Sequence, residues 1–350
     1  MRVTHVITRL IAGGAQENTI SSVLGLRSKP GLEVDLVSGP SAGPEGSLEP
    51  LLASTPGLLT TLPNLVRPVS PLRDYRAFLG LSRIFRHRRP NLVHTHSGKA
   101  GVLGRFAAAR AGVPIIIHTI HGPSFGAFQG PVANALFRFL ERQAARFTTH
   151  FVVVAEAMKT QYLSAGVGLP GQFTRIFSGF DLAPYLSAVN DPQLRARLGI
   201  GAEDFVVGKI GRLFRLKGHD DLLAVAPALV RGCPRIKFLL VGDGEWRGRL
   251  EQKARALGLA ERFIFTGLVP PAGVAPLLGV MDVLVHLSFR EGLARALPQA
   301  LAAARPVVAY DCDGAKEVCL ENQTGFLLRP GDLLSLAERV LRLAGDARMR

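Results

Sequence analysis

The 350 residues hold one tryptophan, four tyrosines, four methionines and three cysteines. An odd set of cysteines (Cys233, Cys312, Cys319) without a C-x-x-C spacing excludes a disulfide framework and points to a reducing compartment. Long uncharged apolar runs are missing as well. The most apolar window, 268–287, carries three prolines, Asp282 and His286, which excludes a membrane span of ordinary composition. The opening "MRVTHVITRL" has no apolar core of a signal peptide, so the expected location is the cytoplasm. A dinucleotide fingerprint is absent too: "VGDGEW" (241–246) is followed by Arg247 where G-x-G-x-x-G requires glycine. That turn, with Gly242, is read instead as lining a ligand site.

Acidic residues are the last shortage, 27 against 42 Lys and Arg, for a net charge of +15. The imbalance is uneven. Residues 1–180 hold 19 basic against 8 acidic residues, and residues 181–350 hold 23 against 19. A basic first half favours an anionic partner or simply keeps the chain in solution. Nucleic acid is a poor candidate, because no aromatic platform is interleaved with the cations.

What is present is a repeated pattern of short apolar runs, each followed by glycine or polar residues and then a helical stretch. The expected strands are 3–7, 33–38, 92–96, 114–121 and 151–155, then 205–211, 237–242, 263–267, 282–287 and 306–310. Continuously apolar strands belong to parallel sheets covered by helices on both faces. Length and pattern together predict two doubly wound α/β domains, 1–184 and 185–350, with a ligand cleft at the carboxyl ends of their strands.

Polar residues at those strand ends are the site candidates. "AGGAQ" (12–16) puts Gly14 where backbone amides meet a ligand at a helix start, or where a tight turn simply needs glycine. "GRLFRLKGH" (211–219) offers Arg212 and Lys217 from one loop, a forked donor and a point charge that suit a diphosphate. After the run at 282–287 come Glu291 and Gly292. The amides of Gly292, Leu293 and Ala294 are expected to open a helix and face phosphate, with Glu291 accepting from sugar hydroxyls. The competing reading of Glu291 is a helix-dipole charge worth about 0.3–1 kcal/mol. Pro298 should kink that helix or delay its start.

Four histidines close adjacent strands: His94 and His96, His118 and His121. Strand alternation is expected to turn two of the four away from any one face, which argues against a metal site. A single imidazole, His121, is the expected contact to a sugar hydroxyl or a phosphate. Asp311 and Asp313 in "DCD" match a metal-nucleotide pattern too short to carry weight alone.

In order, "GGAQ", "HTH", "KAG", "HTIHG", "SGFD", "GR" with "KG", "VGDG", "EG" and "PVVAYDCDGAKEV" resemble the family-4 retaining glycosyltransferases of GT-B fold over nearly the whole chain. The resemblance implies a nucleotide-sugar donor (UDP-, GDP- or ADP-linked), no metal and no other cofactor. It implies Gly14, Arg212 and Lys217 at the donor phosphates, with Gly242, Gly267 and Leu268 lining the donor site. Glu291 would then lie at the sugar, with the amides of residues 292–294 at phosphate. Position 299 usually carries a glutamate that binds the ribose; Gln299 retains an accepting carbonyl.

The stretch 94–122 is similar to enzymes that act on polyprenyl-phosphate-linked glycans, with His94, His96 and Lys99 as acceptor contacts. The segment 73–89, with six arginines, Phe78, Leu79 and Phe85, is compatible with an anionic membrane surface at the inner face or with an ordinary surface helix. Relatives usually continue into a crossover helix, which is expected to be missing past Arg350. The alternatives are a nucleotide-sugar epimerase of similar fold and a donor-binding protein with little turnover.

Overall fold

A computed structural model describes residues 1–41, 46–96, 98–126 and 128–350. The chain forms two compact units, Met1–Phe180 and Asp181–Arg350. Ser97, inside one of the quoted motif stretches, lies outside the described residues.

The first unit contains β1 (Arg2–Ile7), α1 (Gly14–Arg27), β2 (Glu33–Ser38), β3 (Leu59–Thr61), α2 (Pro71–Arg88), β4 (Leu92–His96) and α3 (Gly98–Arg110). It continues with β5 (Ile115–Ile120), α4 (Pro131–Ala145), β6 (His150–Val153), α5 (Glu156–Ser164) and β7 (Phe173–Arg175). The strands form one parallel sheet in the order β3-β2-β1-β4-β5-β6-β7. The two faces of β1 feed different cores. Val3 and Ile7 meet Ile20 and Val23 of α1, while Val6 meets Leu81 and Phe85 of α2 and Ala107 of α3. Continuous apolarity of the strand is thus the signature of helices on both sides.

The second unit contains α6 (Ala183–Leu186), α7 (Pro192–Arg197), β8 (Phe205–Ile210), α8 (His219–Gly232), β9 (Ile236–Val241), α9 (Arg247–Ala256) and β10 (Phe263–Phe265). It ends with α10 (Val274–Gly279), β11 (Val283–His286), α11 (Ala296–Ala302), β12 (Val307–Tyr310), β13 (Gly325–Leu328) and α12 (Leu333–Gly345). Its parallel sheet runs β10-β9-β8-β11-β12-β13. Strand order therefore reverses beside β1 in one unit and beside β8 in the other. Crevices for ligands in doubly wound sheets open at such reversals, β1/β4 and β8/β11 here.

Three edge or near-edge strands, β3, β7 and β13, are absent from the sequence expectation; they span three or four residues and hydrogen-bond to a sheet already in place. The helix expected from residue 292 begins instead at Ala296. Pro298 then falls in the first turn, where the missing N–H costs no intrahelical bond. On α2, Phe85 is in the core and Phe78 is half-buried against it.

Beneath α3 and α4 lies a buried ion pair. Arg105 donates to Glu141 at 2.5 Å, with side-chain exposures of 0% and 1%. Arg105 also donates to the Gly101 carbonyl at 2.8 Å, and Ser124 donates to Glu141 at 2.8 Å. Removing one partner strands the other charge out of water. Glu141→Ala is therefore expected to destabilise the first unit by about 3–5 kcal/mol, whereas the double variant Arg105→Met/Glu141→Leu should lose far less. Thermal and denaturant melts of the full chain check both.

Candidate functional site

In the second unit the loop after β8 is the hub. Gly211 carries the chain out of β8, and the loop is laced to its neighbours. Leu213 donates to Asp243 and Trp246 donates to Leu213, both at 2.9 Å, binding it to the turn after β9. Gly242, at φ +131°, lies so close that a Cβ there would stand 2.4 Å from the Gly211 carbonyl. Gly242 in turn bridges Gly267, which ties in the loop after β10. Leu268 beside it is half exposed. Arg247, which spoiled the dinucleotide fingerprint, bonds Asp243 at 3.0 Å and Glu251 at 2.9 Å and pins the start of α9.

On its other side the loop docks against β11. Leu216 sits in the left-handed region at φ +74°, which strains a branched residue. Its carbonyl is held by the Phe289 amide at 2.9 Å. Gly218 passes over Leu287, where a Cβ would meet the Leu287 carbonyl at 2.0 Å. Between these two fixed points stands Lys217, whose ammonium forms an ion pair and hydrogen bond with Glu291. The side chains keep 17% and 20% exposure, so the pair is shielded yet reachable.

Burial alone raises the Glu291 carboxyl, but the Lys217 ammonium and His286 outweigh it and hold the group well below the usual carboxylate range. His286 Nε2 lies 3.6 Å away, beyond hydrogen-bond distance. The Glu291 amide donates to Asp313 at 2.7 Å. Asp313 therefore supports the site loop, which replaces the metal-nucleotide reading of "DCD".

Lys217 and Glu291, both expected at strand ends of the second unit, touch one another. Arg212 lies on the same loop, its guanidinium 4.8 Å from the Phe214 ring. Gly292, Leu293 and Ala294 are buried and precede α11 rather than opening it. Gln299 is 7% exposed and donates its amide nitrogen to the Tyr185 hydroxyl at 2.8 Å. Among the described residues, buried polar atoms without a hydrogen-bond partner include His219 Nδ1, His286 Nε2 and Ser288 Oγ, all beside this loop or at the end of β11. Buried polar atoms left unsatisfied in a protein suit a site that a ligand or water completes.

Lys209, near the end of β8 and 3% exposed, escaped the sequence reading. Burial first and the Lys217 charge second bring its pKa down to about 7, against the pull of Glu291 and Asp221. A lysine inside the apolar run "FVVGKIG" was the available signal.

In the first unit the histidines behave differently from expectation. His94 and His96, two apart, share one face of β4, and His5 pairs with His94 in register on β1. His121 lies past the end of β5, free of strand alternation, and joins them. Only His118 turns away, bonding Thr95 at 2.9 Å on the opposite face. His5 Nδ1 meets His96 Nε2 at 2.9 Å, and His96 Nδ1 meets His121 Nε2 at 3.1 Å.

Burial lowers every one of these groups, His94 to about 4 and His121 to about 3, and repulsion from His94 adds to it for His5, His96 and His121, so all are neutral at pH 7. Neutral imidazoles carry one N–H each, so this chain of three must point its protons in one direction. The nitrogens of His5, His94 and His96 lie within 4.8 Å of one another, close enough to hold a metal ion. Those of His5 and His96 that meet are joined by a hydrogen bond, and His94 bonds Thr119 at 2.6 Å.

Lys99, expected as an acceptor cation, is tied to Asp74 at 2.5 Å and to the Pro68 carbonyl, so its charge is already answered. Gly14 opens α1 beside the β1 crevice.

Two family models match the chain, "Glycosyl transferase 4-like domain" over residues 13–172 and "Glycosyl transferases group 1" over residues 204–346. An Escherichia coli UDP-Gal:alpha-D-GlcNAc-diphosphoundecaprenol alpha-1,3-galactosyltransferase is 28% identical over 289 residues, 81% of this chain and 74% of its own length. A GDP-mannose-dependent alpha-mannosyltransferase of Mycobacterium tuberculosis is 30% identical over 281 residues, 78% of this chain and 67% of its own. Among solved structures, Anabaena HepE in complex with UDP and glucose superposes with a TM-score of 0.83 at 25% identity, covering 100% of this chain and 91% of its own. The two doubly wound units are those of the GT-B fold.

One prediction concerns Lys209. Its folded pKa lies below the unfolded value, so the burial penalty is fully present below pH 7. Between pH 7 and about 10.4 the unfolded chain binds a proton that the folded chain lacks, and stability rises with pH. Lys209→Met should therefore stabilise the chain at pH 6–7 and remove this rise. Melting curves of both proteins from pH 6 to 10 test it; parallel curves would contradict the assignment.

Proposed function

The chain belongs to the group 1 glycosyltransferases, and on that premise we propose that it moves a sugar, with retention of configuration, from a nucleoside diphosphate to a hydroxyl of a polyprenyl-linked glycan. The observation that carries the reading is the Lys217–Glu291 pair at the β8/β11 reversal, a cation and a hydroxyl acceptor side by side and mostly shielded from solvent. A uridine diphosphate sugar is the first donor to try, because UDP is bound to HepE and the Escherichia coli relative uses UDP-Gal. The same relative's diphosphoundecaprenol-linked substrate motivates the acceptor class.

In this reading Lys217 and Arg212 neutralise the diphosphate, with the amides of Gly292, Leu293 and Ala294 near its oxygens. Glu291 accepts from sugar hydroxyls, and the Gln299 carbonyl takes a ribose hydroxyl. Neutral His121 contacts the transferred sugar without repelling the cationic centre that develops there. The anomeric C–O bond breaks and the nucleoside diphosphate leaves with the electron pair. The acceptor oxygen attacks on the same face, and its proton passes to a departing phosphate oxygen. Charge on the leaving group is met by fixed cations, so no metal ion is required. The chain works at an anionic bilayer, which the basic first unit would favour.

Lys217→Ala and Glu291→Ala should each lower turnover by about 10²-fold or more if they meet charge that develops in the transition state. Nucleoside diphosphate should appear only when acceptor is present, chelator should leave the rate unchanged, and the product's anomeric coupling by NMR should match the donor's. Unchanged turnover in both variants would sink the assignment of the site.

A further inference from the structure

We propose that the groove between α2, α3 and α4 in the first unit receives the isoprenoid chain of the acceptor, an inference that rests on the polyprenyl-linked reading above. The groove measures about 680 Å3 and is lined by Phe78 of α2, Val102, Leu103 and Phe106 of α3, Leu140 of α4 and Phe147 just beyond it. That volume suits a small-molecule site.

The sequence of α3 explains the groove. Apart from Arg105, which turns to Glu141, its buried face is small: Ala100, Gly101, Gly104, Ala107 and Ala108. A Cβ on Gly104 would stand 2.7 Å from Thr95, and one on Gly101 2.4 Å from His118, so the helix lies pressed on the sheet. Its larger apolar residues, at i, i+1 and i+4, consequently face outward between α2 and α4. α3 starts two residues past His96, at the β1/β4 crevice, and its 13 residues reach about 20 Å. The helix thus leads from the crevice that would hold the acceptor's polar head to a groove for its tail.

Charge and surroundings select the occupant. Asp74, the one carboxylate at the groove, is neutralised by Lys99 at 2.5 Å, and the Arg110 guanidinium lies over the Phe78 ring at 5.7 Å. The lining is therefore hydrocarbon apart from the Tyr75 hydroxyl, the neutralised Asp74 and the Arg110 cation over its ring. Next to Leu140, the outer stripe of α4 continues the apolar surface: Val132 is 82% exposed, Leu136 49% and Phe139 55%. A long chain that runs on from the groove into a bilayer fits both surfaces, whereas a compact solute fits only the first.

The test uses the full chain in detergent and a benzophenone-bearing farnesyl diphosphate. Irradiation should label the peptides holding residues 102–110 or 140–147, with competition by undecaprenyl phosphate and none by inorganic pyrophosphate. Phe106→Glu and Leu103→Glu, checked by melting curves, should lose most of the label while UDP binding is unchanged. For transfer, KM for a sugar-diphosphate acceptor should fall at least about ten-fold from a short alkyl to a farnesyl chain, which asks only about 1.4 kcal/mol of hydrocarbon burial. Phe106→Glu should erase that difference and leave kcat on the short acceptor intact. Label elsewhere, label unaffected by either variant, or a KM indifferent to chain length in the wild type overturns the groove assignment. Absence of transfer to either acceptor, with specific labelling of the groove, would instead overturn the acceptor reading and leave the groove as an isoprenoid site.

Discussion

The second unit is organised around an ion pair between Lys217 and Glu291. The two residues are 74 apart in sequence, and bringing them together takes two loops that follow strands neighbouring in the sheet. The strained Leu216, the close pass of Gly218 over Leu287 and the Asp313 carboxylate under the Glu291 amide all serve to hold that meeting point. Pairing keeps each charge satisfied in a shielded place while leaving both side chains partly open. A ligand with a diphosphate next to hydroxyls offers each partner a replacement of the same polarity, so exchange does not leave a charge stranded.

The two units repeat one solution with different chemistry. Each sheet reverses its strand order once, and each places its polar side chains at that reversal. The second fills it with cations and a carboxylate, including Lys209 at the limit of what burial tolerates. The first fills it with neutral imidazoles joined in a line from His5 through His96 to His121.

Much of this was legible beforehand, for a physical reason. Central parallel strands are buried on both faces and so read as continuous apolar runs, and the loop carrying Arg212 and Lys217 announced itself between a strand and a helix. Short strands such as β3 and β13 were hidden because three or four residues carry no period of their own. His5 was missed because only the register of β1 against β4 sets it opposite His94. The start of α11 was placed too early; Pro298, which seemed an obstacle to the helix, marks its first turn. Lys209 was readable in principle, as a lysine inside an apolar strand, yet its closeness to Lys217 and Glu291 follows only from the fold.

The most direct measurement of the central claim is calorimetric binding of UDP and of uridine to the wild type and to Lys217→Ala. If Lys217 answers the diphosphate, UDP affinity should fall at least about ten-fold in the variant, as a lost charge-assisted contact requires, while uridine binds both proteins alike. Equal UDP affinity in the two proteins, or an equal loss for uridine, would contradict the account.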